Sequence, residues 1–90
     1  MMHLRVYIAG HCPVSAYSME LAAEARQAFP RMEVSIVDIE QSEGEAPDEV
    51  LFTPGYFLNG RPVHWGNPTR ETLYQILRQM EHEFTTGEVP

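Results

Sequence analysis

Leu4-Arg5-Val6-Tyr7-Ile8-Ala9-Gly10-His11-Cys12-Pro13-Val14-Ser15 is the stretch on which the fold turns. Leu4, Val6 and Ile8 alternate with Arg5, Tyr7 and Ala9. A period of two in β-branched and aromatic residues predicts a strand. Gly10 and Pro13 break it. Pro13 suits the first position of a helix, where its missing N–H costs nothing. From Val14 to Phe29 the period lengthens. Val14, Tyr17, Leu21, Ala25 and Ala28 recur at steps of three and four, which predicts one apolar helical face. Glu20, Glu24 and Gln27 fall outside that stripe, and Pro30 ends the helix. Val34 to Ile39 then reads as a second strand. Strand, helix and strand within about forty residues form a βαβ unit, whose strands run parallel with a right-handed crossover.

The second half repeats the alternation with a different connection. Tyr56-Phe57-Leu58 is a third strand, Asn59-Gly60 a strong hairpin signal, and Arg61 to Trp65 the returning strand. Pro62 cannot donate to a central ladder, so that strand belongs at a sheet edge. Asn67 suits a helix N-cap and Pro68 a first helical position. Leu73, Ile76, Leu77, Met80 and Phe84 mark the apolar face of the final helix. Glu40 to Asp48 is an acidic loop, with a short helical turn expected over 47–51. Residues 1–84 are thus expected to form one α/β domain. Its four-stranded mixed sheet has the order 2-1-3-4 with helices on both faces, and residues 85–90 form a flexible tail.

Composition narrows the function. Ninety residues with 43% hydrophobic content fill one core. The net charge is −7, and all six basic residues are Arg. An acidic chain of this kind repels phosphate backbones and anionic lipid surfaces, so neither nucleic acid nor membrane is an expected partner. No stretch approaches the ~20 apolar residues that span a bilayer. The N-terminus lacks the pattern of a secretory leader, which points to a cytoplasmic chain. A single cysteine excludes an internal disulfide and four-cysteine zinc sites. His3, His11, His64 and His82 have no ligand spacing, so no metal site is expected.

The element order, with Cys12-Pro13-Val14-Ser15 at the first strand–helix junction and Thr53-Pro54 before the third strand, resembles the thioredoxin superfamily. The match is to its monothiol members, which carry Cys-x-x-Ser. Tyr7 to Ser15, with Val37-Asp38-Ile39, is also similar to the KaiB family, whose thioredoxin-like domain works by protein–protein binding. The superfamily resemblance implies that Cys12 is a reactive thiol and Ser15 occupies the place of a resolving cysteine. It also implies that Thr53-Pro54 is a cis-proline loop whose backbone docks a partner. A helix N-terminus favours a negative sulfur, and a protonated His11 next to Cys12 would add to this. Ser15 could give its hydroxyl proton to that sulfur, or accept from backbone N–H groups at the helix start. Cys12 could equally be a small buried hydrophobe.

Two functions follow as expectations. One is thiol-redox chemistry through mixed disulfides with a protein or a low-molecular-weight thiol or disulfide. Cys12 and Ser15 would be catalytic, and His11, Pro13, Thr53 and Pro54 partner-binding. The other is a non-enzymatic KaiB-like interaction module. Glutathione would fit the first, yet this chain has Gly10-His11, Phe52-Thr53-Pro54 and Gly66-Asn67-Pro68 where glutaredoxins carry their glutathione contacts. No cofactor is expected.

Overall fold

A computed structural model describes residues 2–41, 50 and 52–86, with side chains through residue 83. The elements run β1 (His3–Ile8), α1 (Ser15–Ala28), β2 (Glu33–Asp38), β3 (Gly55–Leu58), β4 (Arg61–Trp65) and α2 (Arg70–Thr86). They form a small α/β fold whose single mixed sheet has the order β2-β1-β3-β4. The expected helical turn over 47–51 lies outside the described residues, apart from residue 50, which is in no helix. Helix α2 continues through residues 85 and 86, where a tail was expected; residues 87–90 lie outside the description.

β1 is the centre of the sheet. It pairs in parallel with β2 from His3↔Glu33 to Ile8↔Asp38. On its other side it pairs antiparallel with β3 from Leu4↔Leu58 to Tyr7↔Gly55. Asn59 and Gly60 both have positive φ (52° and 87°), the backbone that a two-residue hairpin of primed type requires. β4 closes the sheet, with Pro62 on its outer edge. Its pairing jumps from Tyr56↔His64 to Phe57↔Pro62, so Val63 is an extra residue, and it packs against the core.

Alternation along the strands sends Leu4, Val6, Ile8, Val34, Tyr56 and Leu58 to one face. There they join Leu21, Ala22 and Ala25 of α1 and Leu73 and Leu77 of α2 in one buried cluster. Both described helices therefore lie on the same face. They also touch each other, through Phe29 against Tyr74 at 5.5 Å between ring centroids and through the bidentate ion pair of Arg70 with Glu24. That arginine holds the Glu24 carboxyl below the usual carboxylate range. The expectation of helices on both faces is thus corrected for the described residues. The right-handed crossover puts α1 on one side, and the turn at Gly66 brings α2 back to that side, where its Leu73–Leu77 stripe meets Tyr56 and Leu58.

Helix α1 buries Ser15, Ser18, Leu21, Ala22 and Ala25. Of the expected stripe, Leu21 and Ala25 are buried, whereas Ala28 is exposed and Val14 and Tyr17 are 47% and 43% exposed. Two serines replace Val14 and Tyr17 on the inner face because each hydroxyl finds a partner there, so burial leaves no polar group unsatisfied. Small inner residues let α1 lie close on the sheet.

Leu77 is fully buried at the junction of α2 with the sheet. Leu77→Ala is expected to lower stability by about 2–5 kcal/mol, the usual cost of emptying such a site, as read from the urea midpoint at constant m-value.

Candidate functional site

The carboxyl end of β1 feeds the segment that carries Cys12. The Ala9 carbonyl accepts two hydrogen bonds, from the Cys12 N–H at 2.9 Å and from the Ser15 hydroxyl at 2.6 Å. The Ser15 N–H in turn donates to the Cys12 carbonyl at 3.0 Å. These bonds turn the chain tightly from strand into helix. Helix α1 begins at Ser15, so Pro13 lies in the preceding turn and not at the first helical position. Val14 is the N-cap and contributes no side-chain bond. Cys12, in that turn, is a free cysteine and a partly exposed residue.

Ser15 is buried, and its one hydroxyl proton goes to Ala9, not to the sulfur of Cys12. His11 turns its ring toward Glu40 and forms an ion pair when protonated. Pro13 is exposed beside the thiol. The Thr53–Pro54 peptide is cis, Pro54 is buried and Thr53 is partly exposed. Extending the β1–β3 register one step beyond Tyr7↔Gly55 sets Pro54 opposite Ile8. The proline loop and the cysteine turn thus leave the same end of the sheet. Phe52, 66% exposed, stands just before them and packs edge-on against Trp65.

Three functional neighbours escaped the sequence reading. Asp38 ends β2 beside the end of β1, and its Oδ1 accepts the Gly10 N–H at 3.1 Å and the Glu40 N–H at 3.0 Å. Glu40 Oε1 accepts the His11 N–H at 3.1 Å. Two carboxylates therefore hold the approach to Cys12. A Cβ on Gly10 would fall 2.2 Å from Asp38 Oδ2, so a side chain there would displace that carboxylate. The signal lay in the parallel register, which sets Asp38 next to Ile8.

Asn67 is the third. Its sequence context predicts the N-cap of the last helix, but Thr69 takes that place, its Oγ1 accepting the Thr72 N–H at 3.1 Å. The Asn67 side chain reaches across the molecule. Its Nδ2 donates to the Val14 carbonyl at 3.0 Å, and its Oδ1 accepts from Ser18 Oγ at 2.6 Å and from the Tyr56 hydroxyl at 2.7 Å. One amide fastens the first turn of α1 to β3 and to the loop before α2. Burial pushes the Tyr56 phenol up to about 12, with the Ser18 hydrogen bond acting in the opposite direction.

Among the described residues, no three His, Cys, Asp or Glu side chains are arranged to hold a metal ion. No helix there is long and apolar enough to cross a membrane.

Asn67→Ala would strand the buried Tyr56 hydroxyl, while Ser18 Oγ keeps the Val14 carbonyl at 3.3 Å; the change is expected to cost about 1–3 kcal/mol, measured by urea unfolding. Tyr56 sets a pH dependence of definite sign. Its folded pKa lies above the unfolded value of about 10, so the folded state keeps a proton that the unfolded state loses. Stability from this group is complete below pH ~10 and is lost as pH rises toward ~12, by about 2–3 kcal/mol. Tyr56→Phe should flatten that part of the profile; the chain has no lysine to titrate in the same window.

No protein-family model matches this chain, and no curated protein matches it.

Proposed function

We propose that this chain is a thioredoxin-like thiol protein in which Cys12 forms mixed disulfides with a protein or a small disulfide. The observation that carries the reading is the position of Cys12. It is a partly exposed residue in the turn between the central strand and the first helix, at the sheet end where Thr53-Pro54 also emerges. The strand order β2-β1-β3-β4 and the cis peptide before Pro54 agree with it. In the reaction, the Cys12 thiolate attacks one sulfur of a disulfide R–S–S–R. The new Cys12–S–S–R bond forms as the old one breaks, and R–S⁻ leaves and takes a proton from water. With no second cysteine, the cycle ends only when an external thiol reverses that step. Thr53 would offer its backbone to the docked chain.

A second reading, a binding module without thiol chemistry, draws on two observations. The Ser15 hydroxyl is committed to Ala9, and the His11 ring to Glu40, so neither group attends the sulfur.

Alkylation separates the two. Under the redox reading, Cys12 in the folded protein reacts with iodoacetamide at pH 7 faster than in the urea-unfolded chain. It also gives a mixed disulfide with hydroxyethyl disulfide, seen by mass and absent in Cys12→Ser. A thiol that stays inert until the chain is unfolded would overturn the redox reading and leave the binding module.

A further inference from the structure

The sheet face opposite the helices carries a different chemistry. Alternation sends His3, Arg5 and Tyr7 of β1 to it, with Ser35 on one flank and Phe57 on the other. His3, Arg5, Tyr7, Phe57, Asn59 and Gly60 line a cavity there of ≈ 190 Å³. Tyr7 and Phe57 are 4% and 3% exposed, and their rings meet edge to face at 5.1 Å, so they form a fixed aromatic wall.

Two polar groups of this cavity are unspent. Tyr7 is more than nine-tenths buried, yet its hydroxyl has no hydrogen-bond partner among the described residues. It is not a sealed polar atom, because no buried side-chain N or O lacks a partner. The hydroxyl therefore keeps access to open space, and the space that Tyr7 lines is this cavity. Arg5, two residues earlier on the same strand face, engages no carboxylate among the described residues. Alternate residues on a strand stand about 6.6 Å apart, within reach of one small ligand. The other charged groups nearby are His3, whose Nε2 is 2.7 Å from Ser35 Oγ, and Glu33, which pairs with His3 at the far end of the strand. In the strand register Glu33 is thus four positions from Tyr7, and Arg5 lies between them.

From this we infer that the face opposite α1 and α2 binds a small carboxylic acid with an apolar body. Arg5 takes the carboxylate through its forked N–H groups, Tyr7 adds a hydroxyl donor, and Phe57 covers the apolar part. The volume sets the class: it lies below the ~300 Å³ of drug-sized pockets and suits a single ring with a short chain. The site is independent of Cys12, which lies past the opposite end of β1 from His3 and the Asn59–Gly60 turn.

The test is an amide-resolved NMR titration of the full chain with phenylpropionate, and in parallel with its neutral analogue phenylpropanol. Phenylpropionate is expected to give saturable shifts at Arg5, Tyr7, Phe57 and Gly60, with a Kd of about millimolar order. Phenylpropanol, Arg5→Gln and Tyr7→Phe should each weaken binding by about tenfold, the loss expected for a charge-assisted hydrogen bond, while Arg78→Gln on α2 should leave it unchanged. Resonances outside the face report that each variant is folded. The inference fails if no saturable shift appears at these residues, if the alcohol binds as tightly as the acid, or if Arg5→Gln binds like the parent.

Discussion

The double pairing of β1 is the constraint from which the rest follows. All six of its residues are in register with β2 on one side, and Leu4 to Tyr7 with β3 on the other, so its register cannot slip without breaking two ladders. That fixes which side chains point to the helices: Leu4, Val6 and Ile8 in one direction, His3, Arg5 and Tyr7 in the other. It also fixes where the chain leaves the sheet. Ala9, one residue past the strand, places its carbonyl so that Cys12 and Ser15 both bond to it. The cysteine turn is thus an extension of the ladder, and Asp38, arriving through the parallel register, braces it from the next strand.

The two faces of this sheet serve opposite ends. The helix side is apolar apart from a few polar groups, and those that are buried are satisfied. Ser15, Ser18 and Tyr56 each find an oxygen within 2.7 Å. Low dielectric makes such bonds strong and their loss costly, which is why a single asparagine can hold three elements together. On the other side, aromatic rings continue from Tyr7 through Phe57 and Trp65 to the exposed Phe52, with Arg5 beside them. The helix side spends its polar groups on cohesion, whereas on the aromatic side an arginine and a phenol have no polar partner among the described residues.

Much of the fold was legible because it is written in short-range patterns. Alternation in Leu4–Ile8 and Tyr56–Leu58, the Asn59-Gly60 pair and the proline in Arg61–Trp65 each follow from neighbouring residues, and they yielded the strand order. The misreadings share a cause, a partner distant in sequence. Hydrophobicity ranks Val14 and Tyr17 above Ser15 and Ser18, and the ranking reverses only because Ala9 and Asn67 wait for the hydroxyls. Asn67 has every local mark of a helix cap and spends its side chain elsewhere. At the site, the position of Cys12 followed from the strand–helix junction. The bracing by Asp38 and Glu40 did not, since it needs the two strand ends side by side.

The asparagine latch also bears on how the chain reaches this shape. Ser18 and Asn67 are 49 positions apart, and His3 meets Asn59 across 56. Contacts of such span are late rewards, because the intervening loop must close before they form. The βαβ unit can assemble from its own segments. The latch cannot engage until the hairpin has been added to β1, and so it joins two halves that are already built.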